Sequence, residues 1–166
     1  MSLCTPTSSE NYYFQVLDNV HTRWGQQLYA TTADVVRPGI LVMFSGTSGS
    51  MTEACDGDER PLGPAYGARE NVYRPMDPCY DANEPHVVLT GRGHAVLGTS
   101  LFTGGSHPNL LNQKLYAGAN GLWTTVAGTY PVGRYLGPYY HTAGAGVGSQ
   151  VTLSHIEFVI PAFTNP

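Results

Sequence analysis

Gln150-Val151-Thr152-Leu153-Ser154-His155-Ile156-Glu157-Phe158-Val159-Ile160 decides the fold class. The segment alternates. Val151, Leu153, His155, Glu157 and Val159 fall on one face, and Thr152, Ser154, Ile156, Phe158 and Ile160 on the other. Side-chain alternation with period two, rich in β-branched residues, predicts a strand, and Pro161 ends it because proline cannot continue a ladder. Upstream, the glycine-rich run Thr142–Ser149 reads as flexible or tightly turned, and Tyr130–Leu136 reads as a strand interrupted at Gly133. Asn120-Gly121 is a hairpin signal, because both residues tolerate positive φ. It joins Leu115-Tyr116 to a strand over Leu122–Val126. His86–Thr90 and His94–Leu97 flank Gly91-Arg92-Gly93, and the segment predicts a second hairpin. Pro38-Gly39 is a turn before the apolar strand Ile40–Phe44. Residues 51–85 carry five prolines and predict mostly extended, irregular backbone with brief strands. Residues 12–30 mix two periods and read as a strand or a short helix. No segment of ten residues makes a capped amphipathic helix. The reading is an all-β chain, a small β-barrel or β-sandwich with long irregular loops and extended terminal arms. Residues 1–30 form an N-terminal arm or peripheral segment and residues 31–166 the β domain.

The 166 residues include 20 glycines and 12 prolines without a strict period, which excludes collagen and fits frequent turns. Only 12% are charged, against about 25% in ordinary soluble domains. With 42% hydrophobic residues the chain is not of the disordered class. Its surface is then made of Ser, Thr, Asn, Gly and Tyr, which lose little hydration when a partner docks. A net charge of −4 with scattered arginines argues against nucleic acid as a partner. Cys4, Cys55 and Cys79 form no C-x-x-C pair, which favours reduced thiols and synthesis in the cytosol, although a Cys55–Cys79 disulfide stays possible. No leader pattern opens the sequence, and no apolar run approaches the roughly 20 residues that span a bilayer.

The motifs argue against catalysis. Ser45-Gly46-Thr47-Ser48-Gly49-Ser50 lacks the G-x-S-x-G order and a following helix. Gly91-Arg92-Gly93 lacks the third glycine of a dinucleotide fingerprint. Asp56-Gly57-Asp58-Glu59 lacks EF-hand spacing and reads as an acidic turn. The six histidines show no H-x-H or H-x-x-x-H pair, though His86 and His94 would face each other across the predicted hairpin. No catalytic, cofactor or metal residues are assigned. Tyr135, Tyr139 and Tyr140, with Trp123 and Tyr130 nearby, form an aromatic cluster suited to core packing, to a protein partner or to a sugar. The candidate partner contacts are Trp24, Tyr66, Tyr73, Trp123, Tyr135, Tyr139 and Tyr140.

Five stretches taken in order carry a resemblance: Arg37-Pro38-Gly39-Ile40-Leu41-Val42; Tyr66-Gly67-Ala68-Arg69-Glu70-Asn71-Val72-Tyr73; Val87-Val88-Leu89; Gly98-Thr99-Ser100-Leu101 into Leu115-Tyr116 and Asn120-Gly121-Leu122-Trp123; and Val132-Gly133-Arg134-Tyr135-Leu136-Gly137. Over roughly residues 35–160 they resemble the small decoration, or cement, proteins of tailed-bacteriophage capsids. The motifs are mostly glycines and apolar residues, and Gly137-Pro138 stands where that family commonly has an acidic residue. The resemblance implies a compact, β-tulip-like barrel or sandwich with arms, made in the host cytoplasm. It further implies a homotrimer on the outer capsid surface of the virion that bridges subunits of the major capsid protein. A glycan- or receptor-binding β module of a phage fibre or other surface structure is the alternative, and neither reading involves a membrane.

Overall fold

The computed structural model describes residues 14–18, 22–23, 28–30, 36–46, 51–57, 59–66, 85–142 and 150–160. The early strands are short: β1 (Phe14–Val16), β2 (Thr22–Arg23), β3 (Leu28–Ala30), β4 (Leu41–Phe44), β5 (Met51–Ala54) and β6 (Gly63–Tyr66). Then come β7 (Pro85–Leu97), β8 (Lys114–Ala117), β9 (Trp123–Thr124), β10 (Pro131–Thr142) and β11 (Gln150–Ile160). The chain is mostly β, without a helix of 7 or more residues among the described residues, and the sheet curls into a half-barrel. Among the described residues all pairings between these strands are antiparallel except β3 with β5, and an isolated bridge between Phe102 and Trp123 is also parallel. The all-β expectation holds, and within the segment 12–30 the described residues 14–16, 22–23 and 28–30 are strands.

The hairpin predicted over residues 86–97 does not form. Residues 85–97 are one strand, and Gly91 at φ 88° bends it without reversing it. Before the bend β7 pairs with β6, β2 and β3. From Gly91 onward it pairs residue for residue with Ile160 back to Ser154 of β11, while β1 takes its other edge. A glycine at positive φ serves a bend inside a strand as readily as a turn. The longer alternating partner, 57 to 69 residues away in sequence, decides which one forms. β7 is therefore the strand around which the sheet curls.

The curl encloses one main core. Phe14, Ile40, Leu41, Leu89, Leu97, Leu101, Leu115, Trp123, Ile156 and Phe158 are among its fully or almost fully buried members. Phe14 lies within the segment read from sequence as an arm, and β1, β2 and β3 each pair with β7. The Asn-Gly turn forms as predicted, with Asn120 at φ 56° and Gly121 at φ 70° between β8 and β9. Gly121 packs so tightly on β4 that a Cβ would enter Leu41 O and Ile40 Cγ2, and its N–H donates to Cys55 O at 2.7 Å. The β8–β9 hairpin is thereby stitched to the opposite wall of the curl.

Candidate interaction surface

Pairing register sets a row of polar side chains across the outer face of the sheet. Lys114 of β8 stands opposite Arg134 of β10, Arg134 opposite Glu157 of β11, and Glu157 opposite His94 of β7. Only one face of β11 meets the main core, through Ile156, Phe158 and Ile160. The face carrying Leu153, His155, Glu157 and Val159 is the other one, as strand alternation requires.

Glu157 is the most enclosed charge of the row, its side chain 3% exposed between Arg92 at 67% and Arg134 at 48%. Arg92 reaches Oε1 through Nε and Nη2, and Arg134 reaches Oε2 through Nε. Burial pushes the Glu157 carboxyl up, but the hydrogen bonds and charges of Arg134 and Arg92 outweigh it and hold the group below its ordinary value. Beside it lies an open groove of about 520 Å³ lined by Asn112, Lys114, Pro131, Arg134, Glu157 and Val159. Three of the eight cations of the chain thus gather around one carboxylate.

Further along the same face, His94 Nδ1 pairs with Asp18 Oδ2 at 2.7 Å, and the His94 and His155 rings meet edge to face at 5.4 Å. Burial, then the neighbouring His94, lower the His155 pKa, while Asp18 acts weakly against them. His155 Nε2 is buried without a hydrogen-bond partner. Both features favour a neutral ring. His86 lies elsewhere. It sits before the Gly91 bend, bonded through Nε2 to Thr52 Oγ1 at 2.9 Å, so the two histidines do not face each other as the predicted hairpin required. Among the described residues no three His, Cys, Asp or Glu side chains converge as a metal site.

The tyrosines of β10 do not form one cluster. A bulge between Tyr135 and Gly137 inserts a residue, so Tyr135 and Tyr139 land on opposite faces despite their even spacing. Tyr135 is buried beside Ile156, whereas Tyr139 packs outside on Val96 and Leu153 and edge-on to His155. Tyr140 pairs with Thr152 and is 60% exposed. Trp123 is fully buried, and its indole Nε1 donates to Gly39 O at 2.8 Å. Two of the expected contact residues, Trp123 and Tyr135, are therefore corrected to core residues. A ring that buries most apolar area is as useful inside as outside, and composition does not distinguish the two. Tyr66 is half-buried against Phe14, with ring centroids 6.4 Å apart. Trp24 and Tyr73 lie outside the described residues. The Arg92–Glu157–Arg134 group was not among the expected contacts. Its only sequence signal was Glu157, the one acidic residue of the alternating strand Gln150–Ile160.

The acidic turn forms at the other end of β8. The thiol of the free, buried Cys55 donates to Asp56 O and Glu59 O, both at 3.3 Å. Burial, then the charges of Glu59 and Asp56, push that thiol up to about 12. Comparison with protein-family models, with curated proteins and with solved structures finds no match to this chain.

Proposed function

We propose that this chain is a structural virion protein that decorates the outer surface of an icosahedral phage head as a homotrimer and bridges subunits of the major capsid protein, with no catalytic step. The observation that carries the reading is a set of apolar side chains standing out of a charge-poor surface. Leu111 is 67% and Val126 71% exposed, and Leu110 and Tyr140 are similarly open. Leu111 reaches over Gly137, which pairs with His155 on the outer face of the sheet. Apolar groups left in water, with few charges to desolvate around them, favour a protein partner over a small ligand. The resemblance of the segment order to capsid cement proteins names that partner. Burial of Trp123 removes the ring on which a glycan platform rested, which disfavours the fibre-module alternative.

The test combines two measurements. Light scattering of the purified chain should give three times its mass of 17.8 kDa. Incubation with purified expanded phage heads should give saturable binding and a higher temperature of capsid rupture. Heads that bind none of the protein across a panel of tailed phages would overturn the reading.

A further inference from the structure

We infer that the groove beside Glu157 receives the Asp56–Glu59 turn of a second copy of this chain, so that copies join head to tail through charge. The inference rests on the homotrimer reading above and identifies the surfaces that would make the trimer.

The groove is built for a carboxylate. Glu157 is nearly enclosed and spends both oxygens on Arg92 and Arg134. A guanidinium carries five N–H donors in a rigid fork, so the donors not spent on Glu157 are held in place toward the outside. Arg92 stands at the border of the groove, opposite Val159. Lys114, exposed on the far wall, pairs with no acid among the described residues. Three cations against one carboxylate leave a local surplus of positive charge in a chain whose net charge is −4. An ion pair of this kind, with only the carboxylate buried, is a poor source of stability but a good way to fix the direction of a fork. Val159 and Pro131 add apolar lining beside the charges.

The complementary surface lies on the same molecule but elsewhere. Asp56 and Glu59 are exposed and flank a turn stiffened by the Cys55 thiol and by Glu59 N–H donating to Asp56 O at 3.0 Å. The turn packs at the Ala117 end of β8, where a Cβ on Gly57 would lie 3.4 Å from Ala117 O, and Asn120 N–H approaches Asp56 Oδ1 at 3.5 Å. Lys114 begins the same strand at the groove. Turn and groove therefore occupy the two ends of β8. Two different patches that fit each other make a heterologous contact, which closes into a ring when the rotation permits. A three-fold ring uses every groove and every turn once.

Charge exchange tests the contact. Lys114→Glu and Glu59→Lys each replace an exposed side chain outside the core, and circular dichroism would confirm that both variants fold. Sedimentation of the isolated full chain should show each single variant dissociating at roughly tenfold higher concentration or more. Association of the wild type should weaken as salt rises. The double variant Lys114→Glu/Glu59→Lys should recover association. Single variants that associate like the wild type would overturn the inference and leave trimerisation to another surface. A double variant no better than the singles would equally overturn a direct contact, and a wild type that stays monomeric at every concentration would remove it outright. Binding of the same variants to phage heads, scored separately, reports on the decoration reading alone.

Discussion

Replacing Trp123 with phenylalanine tests whether this ring belongs to the core or to a binding platform. The indole is fully buried and donates to Gly39 O at 2.8 Å, which ties β9 to the Pro38–Gly39 turn. Phenylalanine keeps an aromatic ring but loses the donor. An acceptor left buried and unpaired costs about 1–3 kcal/mol. The missing part of the indole leaves a void worth roughly a further 1–2 kcal/mol. Together these give about 2–5 kcal/mol. For a chain of this length each kcal/mol shifts the melting temperature by about 2–4 °C, so a fall of roughly 10 °C is expected. Denaturant titration should show a lower midpoint with an unchanged m-value. The exposed Tyr140→Ala, as a control, should stay within about 0.5 kcal/mol of the wild type. If Trp123→Phe proved as stable as the wild type, the assignment of this indole to the core would be refuted.

Four further outcomes are expected. Glu157→Gln should lower stability by about 1–3 kcal/mol, less than for a fully buried pair because its two arginines reach water. The folded-state pKa of Glu157 is lowered, so its contribution is complete above the unfolded carboxyl pKa and is lost as pH falls through the folded value. Melting temperatures taken from about pH 6 down to about pH 2 should therefore fall more steeply in the wild type than in Glu157→Gln. His155 also has a lowered folded-state pKa, so the unfolded chain binds its proton more readily and acidification opposes folding. An NMR titration should place its transition below that of an exposed histidine, and a normal midpoint would contradict the packing against His94. The Cys55 thiol, pushed up to about 12, should resist iodoacetamide at about pH 8 until the chain unfolds. Peptide mass spectrometry in a Cys4→Ser/Cys79→Ser background would detect early labelling if that is wrong. Gly121→Val should yield little folded protein, because its Cβ would enter Leu41 O; a soluble variant with the wild-type melting temperature would refute the stitch between hairpin and β4.

The amino-acid sequence by itself determined the local elements. Strict alternation over residues 150–160 appears as β11 with the same ends, Pro38-Gly39 turns ahead of β4, and Asn120-Gly121 closes β8 on β9. Each depends on backbone preferences and side-chain period within a few residues, which proximity in the chain makes legible. Tertiary structure alone decided the rest. Whether Gly91 reverses the chain or bends it depended on β11, which captures residues 91–97. Which face of β10 each tyrosine takes depended on a bulge visible only in its register with β11. The row of Lys114, Arg134, Glu157 and His94 draws one residue from each of four strands, so no window of sequence contains it. A glutamate on an alternating strand reveals its face. Its two arginines, and hence the direction of their unused donors, are set by strand pairing, because hydrogen-bond register joins residues that the chain itself keeps far apart.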